Sequence, residues 1–323
     1  MLQEISVDLK RRPSDRWHLT PTQRGQAREL LKQYKTDFGL PPDLGEVLIS
    51  GSKQLIRNEH WQEMESLASE VSVPVRDVAL CNCYYDAMKL VLGNAFGCTA
   101  FAIDTPDAPL HARNLDWWTE NSALAEYSAA CHFEGAPAGR FTTVGWPGFV
   151  GAFSGIAPGR FAISLNAVLS LEPAQFAMPI ELLLRTVLEE SPSFARALAL
   201  LSESPLPCDC LLLLTGTKPG ELVVIERTPS RYAIRGSQDG FVCVANGYQS
   251  LDTELGKSPL ELLATCCRRF DRINALIRVQ RPRNSEDCFA HLSDPEVQMN
   301  MTVQQMVFRA ATGERWTRSP QPF

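Results

Sequence analysis

The spacing of apolar residues changes at Cys98, and this change constrains the fold more than any other feature of the sequence. Before Cys98, apolar side chains recur at helical spacing in three segments: 14–39, 43–72 and 75–92. After it, short β-type runs alternate with turns, and helical spacing returns only at 179–202 and 255–277. Because these runs follow one another through short turns, we expect antiparallel sheets with helices on their faces, an α+β fold.

The strand-like runs are assigned from their alternation and from the turn residues that flank them. CTAFAID and LHARNLDWW form one predicted hairpin, turned at residues 105–109. Further strands are predicted at 140–146, 149–156, 160–170, 208–216, 221–228, 231–236 and 241–248. A final strand pair is predicted within residues 297–317, turned at Ala311-Thr312-Gly313.

The composition argues against several classes of protein. A net charge of −6 argues against a nucleic-acid partner, because phosphate contacts require an excess of lysine and arginine. No Gly-rich phosphate loop is present, so no nucleotide cofactor is expected. The N-terminal sequence has no apolar signal region, and we expect a cytoplasmic protein whose 10 cysteines are not a disulfide framework.

Cys98 is the strongest candidate for a reactive residue. A hairpin that begins at Cys98 returns Arg113 and Asp116 to the same end of the sheet. These two residues are three positions apart, so a local twist or β-bulge is needed for both to face one site. A thiol has a pKa of about 8.5 and attacks as its thiolate, which a nearby arginine favours.

A base is still needed to take the thiol proton. If the Gly97–Cys98 bond were cut, Cys98 would carry an α-amino group with a pKa of about 7.7–8.0. That amine can accept the proton itself, as in enzymes with N-terminal nucleophiles. Asp116 would then hold the ammonium form.

Several stretches of the chain resemble the acid ceramidase and N-acylethanolamine acid amidase group of N-terminal-nucleophile hydrolases, which is related to choloylglycine hydrolases and penicillin acyltransferases. The resemblance runs along most of the chain, through Val7–Trp17, Asp77–Lys89, GCTAFAID, HARNLDW, Val244–Ser250, Arg268–Leu276 and Thr302–Trp316. It implies a four-layer αββα sandwich of antiparallel sheets. It also implies a mainly helical segment, residues 1–97, and a catalytic domain, residues 98–323.

The resemblance also implies roles for individual residues. Cys98 would be the nucleophile, released by self-cleavage after Gly97, and Arg113 would polarise both the thiol and the substrate carbonyl. Asp116 would hold the new amine, and Asn246 would donate to the oxyanion.

Two further positions carry weaker assignments. Asn166 falls where related hydrolases place another polar or acidic group of the active site. Arg269 is the candidate for orienting Asp116 or the site, with Arg268 as its alternative. No cofactor or metal is implied.

The implied function is hydrolysis of linear amide bonds in fatty-acyl amides, such as N-acylethanolamines or ceramide-like lipids. The alternatives are acyl transfer, hydrolysis of bile-salt or penicillin amides, and a non-catalytic lipid-binding relative. The partners would be a small acyl-amide molecule and the second cleaved fragment, and a weak contact with a membrane surface or micelle stays open. The chain departs from the family at His111, where the family usually has Gly, and in the longer helix before Cys98.

Structural readings compete with these assignments. Cys98 could be a buried apolar residue, and Asn246-Gly247 a simple turn. The cysteine pairs at 81/83 and 208/210 lack zinc-finger spacing, so burial is favoured for them. A papain-like Cys–His pair would need His111, His132 or His291, without support from the local sequence. The aromatic residues that either line an acyl pocket or pack the core are Trp117, Trp118, Trp146 and Phe149.

Overall fold

The computed structural model describes residues 2–38, 53–91, 96–117, 122–237, 239–251 and 261–320. Within them, two sheets are formed, with strand orders β1-β4-β5-β6-β7-β8-β9-β10 and β11-β2-β3-β12-β13. The strands are β1 Gln3–Asp8, β2 Phe96–Ile103, β3 Leu110–Trp117, β4 Ala129–Glu134, β5 Phe141–Gly145, β6 Ser154–Ala157, β7 Phe161–Asn166, β8 Cys210–Thr215, β9 Leu222–Arg227, β10 Tyr232–Gly236, β11 Phe241–Val244, β12 Thr302–Arg309 and β13 Glu314–Arg318.

Nine α-helices accompany the sheets in the described part of the chain. They are α1 Pro21–Phe38, α2 Asn58–Val71, α3 Val75–Cys81, α4 Tyr84–Val91, α5 Ala123–Glu126, α6 Ile180–Glu190, α7 Phe194–Glu203, α8 Glu261–Val279 and α9 Ser285–Leu292. None of the helices so described has both the length and the apolar character that a bilayer crossing requires.

The layers are helices, sheet, sheet, helices. Alternate residues of β2, such as Ala100 and Ala102, face β8 and β9 and form a core between the sheets with Leu211 and Leu213. Phe101 and Ile103 point the other way and pack against α8 and α9. Helices α6 and α7 cover the larger sheet through β6, β8 and β9. The predicted α+β fold with an αββα sandwich is thus confirmed.

The first 97 residues are not entirely helical. β1 pairs with β4 in parallel, which is the exception to the antiparallel pattern. Only Ile5 and Val7 are buried in this six-residue strand, so its sequence pattern is too short to identify. Helices α1 to α4 share one hydrophobic core with β4, β5 and β7. The division into residues 1–97 and 98–323 stays a prediction about processing.

The predicted hairpin is confirmed as β2 and β3, with Gly97 opposite Asp116 and Ala100 opposite Arg113. The four strands predicted between 208 and 248 and the final strand pair are also present. The predicted helical segments 75–92 and 179–202 each contain two helices. Within the predicted segment 14–39, helix α1 begins only at Pro21. β4 and α9 were not predicted. Predictions for 39–52, Trp118 and 255–260 lie outside the described residues.

Candidate active site

Cys98 lies on β2 with its side chain in the space between the two sheets. Its Sγ atom is 3.7 Å from the carbonyl oxygen of Leu165, which belongs to β7 of the other sheet. Arg113 is on the same face of the neighbouring strand, because it pairs with Ala100, two residues after Cys98. Its Nη2 atom donates to Cys98 Sγ at 3.2 Å. The predicted pairing of Cys98 with Arg113 is present in the structure.

The guanidinium of Arg113 is buried and held by neutral acceptors. Nη1 donates to the carbonyl oxygen of Phe153 at 2.8 Å and to Ser154 Oγ. Nη2 also donates to the carbonyl oxygen of Leu165. These acceptors carry no charge, so the guanidinium of Arg113 faces Cys98 Sγ without a carboxylate among its described hydrogen-bond partners.

Asp116 lies on the opposite face of β3, next to the residue before the nucleophile. A Cβ atom placed on Gly97 would be 3.2 Å from Asp116 Oδ2. Arg113 and Asp116 therefore flank the Gly97–Cys98 peptide from its two sides and do not share one face. The bulge expected to turn both side chains to one face is therefore not found in β3; the register shift lies in the neighbouring β12, just after Thr302.

The carboxyl group of Asp116 is buried, and burial raises its pKa above the usual value. The charge of Arg269, the hydrogen bond from Thr302 and the charge of Arg113 oppose this rise. Thr302 Oγ1 donates to Asp116 Oδ1 at 2.5 Å, whereas Oδ2 is buried and has no hydrogen-bond partner among the described residues. An unpaired carboxylate oxygen at this depth is suited to accept from an ammonium group.

Asn246 follows β11 and contacts the backbone of the nucleophile. Its Oδ1 atom accepts from the Cys98 N–H at 3.1 Å and from Arg269 Nη2 at 2.8 Å. Its Nδ2 atom donates to the carbonyl oxygen of Ala167 at 2.8 Å, which leaves a second amide hydrogen. Asn246 thus contacts the backbone of Cys98 directly, and its role in catalysis stays a prediction.

Asn166 ends β7, directly after Leu165. Its Nδ2 atom donates to the carbonyl oxygen of Ala245 at 3.0 Å, so it supports the segment that carries Asn246. Its Oδ1 atom is buried and has no partner among the residues the structure describes. The structure therefore places Asn166 beside the site, where its side chain donates to the segment before Asn246.

Arg269 projects from α8 onto the nucleophile strand. Its Nη1 atom donates to the carbonyl oxygen of Cys98 and to Thr99 Oγ1, both at 2.8 Å. Arg268, the alternative, is exposed, whereas Arg269 is buried. The geometry therefore favours Arg269 as the arginine of the site.

The sequence did not point to three supporting residues, which are Ser154, Thr302 and Glu226. Ser154 and Thr302 contact Arg113 and Asp116, as described above. Glu226 is buried on β9 and accepts from the N–H groups of Gln249, Ser250 and Leu251 at 2.8–3.1 Å. This carboxylate fixes the loop that follows Asn246. All three residues act over long sequence separations, and no local motif marks them.

The histidines do not form a papain-like pair with Cys98. His111 is buried, 2.8 Å from Ser164 Oγ and 3.3 Å from Thr215 Oγ1, and burial together with Arg113 lowers its pKa to about 3. His132 contacts Thr142 and Glu4, and His291 contacts the carbonyl oxygen of Gln280.

The cysteine pairs do not resemble zinc sites either. Cys81, Cys83, Cys208 and Cys210 are buried, and no disulfide joins them. No group of three or more His, Cys, Asp or Glu residues suited to a metal ion occurs in the described ranges.

Two solved structures of other proteins have the same fold as this chain. An N-acylethanolamine-hydrolysing acid amidase orthologue from Caenorhabditis elegans superposes with a TM-score of 0.59 at 19% identity, over 69% of this chain and 100% of that one. A mutant conjugated bile acid hydrolase from Clostridium perfringens gives a TM-score of 0.51 at 12% identity, over 69% and 89%. The fold is that of N-terminal-nucleophile hydrolases, as the sequence resemblance implied.

Sequence relatives agree with the structural ones. An acid ceramidase from Balaenoptera acutorostrata scammoni is 24% identical over 254 residues, 69% of this chain and 62% of its own length. An N-acylethanolamine-hydrolysing acid amidase from Mus musculus is 30% identical over 196 residues, 57% of this chain and 51% of its own. The chain thus spans half to two thirds of these relatives.

A family model covers most of the strand-rich part of the chain. The model for acyl-coenzyme A:6-aminopenicillanic acid acyl-transferase matches residues 103–309, which is more than half of the sequence. The matched region contains Arg113, Asp116, Asn246 and Arg269 and begins just after Cys98. The chain therefore belongs to the acyl-coenzyme A:6-aminopenicillanic acid acyl-transferase family.

Proposed function

We propose that this protein is a cysteine N-terminal-nucleophile amidase, activated by self-cleavage between Gly97 and Cys98, which hydrolyses linear amide bonds of fatty-acyl amides. One observation carries the proposal: Arg113 Nη2 lies 3.2 Å from Cys98 Sγ. Around the same peptide, Asn246 accepts the Cys98 N–H and Arg269 donates to the Cys98 carbonyl oxygen.

Self-cleavage requires the groups described above and one water molecule. Cys98 Sγ attacks the carbonyl carbon of Gly97 and forms a C–S bond. The C–N bond to Cys98 breaks, and the nitrogen leaves as an amine that has taken the thiol proton. Water then hydrolyses the thioester to a Gly97 carboxylate and a free Cys98 thiol. Arg113 favours the thiolate at the start of this sequence.

Amide hydrolysis repeats the same chemistry on a bound substrate. The α-amine of Cys98 takes the thiol proton, and Sγ attacks the substrate carbonyl. The second hydrogen of Asn246 Nδ2 donates to the oxyanion, while the ammonium group gives its proton to the leaving amine. Water then releases the acyl group from sulfur. Asp116 Oδ2 accepts a hydrogen bond from the Cys98 nitrogen in both its amine and its ammonium forms.

The proposed substrate class rests on the names of the relatives and on an apolar cleft. The cleft lies between α1 and the loop after β5, where Trp146 and Phe149 form part of its wall. Trp146 packs edge-on against Trp117 with ring centroids 5.4 Å apart, and Trp117 directly follows Asp116. An aromatic layer thus connects the site with an apolar cleft, but the cleft encloses only about 20 Å³ and must widen to admit an acyl chain. The cytoplasmic location stays a prediction.

The two fragments are expected to remain together after cleavage. β1 is hydrogen-bonded to β4 along its whole length. Glu63, from the first fragment, binds Arg185 of α6 through two hydrogen bonds of 2.9 Å, and both side chains are fully buried. The exposed side chains of Leu171 and Phe176, in the loop after Asn166, are where a micelle contact would be sought.

Acyl transfer is the second candidate, because the matching family model is named for an acyltransferase. In that case an amine, instead of water, would take the acyl group from Cys98 Sγ. Supplying a primary amine with the substrate separates the two functions by the ratio of transferred to hydrolysed product.

Intact-protein mass spectrometry tests the proposal. We expect fragments of residues 1–97 and 98–323, with none from Cys98→Ala. Cys131→Ala is the matched control, since Cys131 is an equally buried cysteine on β4, and it should be cut normally. The processed protein is then assayed against amides of varied acyl length. An uncut chain with no turnover would refute the amidase assignment in favour of a binding protein.

A further inference from the structure

Thr302 lies directly opposite Asp116 in the β3–β12 pair, at the point where the strand register shifts. The shift is a β-bulge, and bulges re-aim side chains. The bulge directs Thr302 Oγ1 to Asp116 Oδ1, 2.5 Å away. This contact joins two residues that are 186 positions apart in the sequence.

The backbone of Met299 positions the hydroxyl of Thr302. The N–H of Met299 donates to Thr302 Oγ1 at 3.0 Å, and the N–H of Thr302 donates back to the Met299 carbonyl oxygen at 3.0 Å. Because an ionised carboxylate can only accept, the single hydroxyl proton of Thr302 is donated to Asp116 when Asp116 is ionised. A donor of this kind stabilises the ionised carboxylate over the protonated one.

The other carboxylate oxygen is left for the reaction. Asp116 Oδ2 is buried, has no partner among the described residues and lies beside Gly97. The side chain of Met299 closes the same space, since its Sδ would be 3.0 Å from a Cβ on Gly97. Cleavage after Gly97 would create an ammonium group within this enclosure.

We propose that Thr302 is the positioning residue of the N-terminal nucleophile: it holds Asp116 Oδ1 so that Oδ2 stays ionised and aimed at the amine of Cys98. This inference rests on the proposed function. The charged groups that act on Asp116 are Arg269 from α8 and Arg113 from β3, and the β12 side supplies the neutral hydroxyl of Thr302. Without that hydroxyl, only the two arginines would oppose the rise in the pKa of Asp116 that burial causes.

The first test measures Asp116 directly, in uncut Cys98→Ala protein. Its side-chain carboxyl ¹³C resonance is identified by its loss in Asp116→Asn and titrated with pH. Thr302→Val should move the titration midpoint to higher pH by about one pH unit, and Thr302→Ser should restore it. Thr302→Ala provides the same loss if the valine variant does not fold. An unchanged midpoint in Val or Ala overturns the assignment of Thr302.

The second test follows the processed protein. In Thr302→Val the acid-side limb of the kcat/KM profile for acyl-amide hydrolysis should move to higher pH by a similar amount, with rescue in Thr302→Ser. A uniform loss of kcat without a shift of the limb indicates a merely structural role and overturns the proposal. If wild-type protein has no activity while the Asp116 midpoint still responds to Thr302, the proposed function fails and the positioning contact stands.

Discussion

Residues 1–97 meet the rest of the chain at a junction that contains the carboxylate of Glu63. We expect removal of this charge to lower the free energy of unfolding more than removal of any other single charge at the junction. Its side chain is fully buried, and its two oxygens accept four hydrogen bonds. Arg16 and Arg185 donate to Oε1 at 2.8 and 2.9 Å, while Trp17 and Arg185 donate to Oε2 at 2.7 and 2.9 Å.

Glu63→Gln would replace one of these oxygens by an NH₂ group that faces two donors. Two buried donors then lose their acceptor, and the arginines lose the carboxylate charge. Breaking a buried ion pair from one side costs roughly 3–5 kcal/mol. The matched control is Glu59→Gln, because Glu59 binds the same Arg16 at 3.0 Å but is 52% exposed. An exposed pair contributes about 0–1 kcal/mol.

The assay is urea unfolding followed by tryptophan fluorescence, with both variants made in Cys98→Ala so that the chain stays uncut. We expect the free energy of unfolding to fall by roughly 3–5 kcal/mol in Glu63→Gln and by less than about 1 kcal/mol in Glu59→Gln. If the two variants unfold at the same urea concentration with equal slopes, the buried network does not stabilise the junction as argued.

Three further predictions concern single contacts. Gly97→Ala should slow self-cleavage roughly tenfold or more, because its Cβ would come within 3.0 Å of Met299 Sδ, whereas Gly25→Ala, with open space around it, should be cut at the normal rate by mass spectrometry. Arg269→Gln should abolish or strongly slow the cut, and equal rates for it and Arg268→Gln would contradict the assigned role. Burial raises the pKa of Glu189, but Arg185 and His60 outweigh burial and lower that pKa to about 2. The stabilisation from ionised Glu189 is therefore fully present above pH 4.5 and is lost as the pH falls towards 2. Between those two pH values, the free energy of unfolding measured in urea should fall less in Glu189→Gln than in the parent protein.

The sequence was most informative where a contact is local. The β2–β3 hairpin was predictable because its two alternating runs are joined by a short turn, and its register then places Arg113 near Cys98. The break between α3 and α4 was not predictable. Asn82 is the C-cap residue of α3, and its Oδ1 accepts from the N–H of Val150, a residue 68 positions away that no local pattern identifies.

Asp116 shows where local reasoning ends. Its spacing from Arg113 indicated that one flat strand cannot present both residues to one side, and this part of the reasoning was sound. The structure keeps them on opposite faces and places the reacting peptide between them. The bulge that completes the arrangement lies in β12, whose sequence carries no sign of which strand it will pair with.

The two faces of the β2–β3 pair separate the charges that the proposed reaction needs. In that reaction Arg113, on the inner face, would stabilise an anion on sulfur, and Asp116, on the outer face, would stabilise a cation on nitrogen. On a single face these two side chains would pair with each other, and a buried ion pair leaves little charge for the reacting atoms. The strand between them keeps each beside its own atom of Cys98. Asn246 and Arg269 already bind the N–H and C=O groups of Cys98, so the nucleophile backbone is held before the bond in front of it breaks.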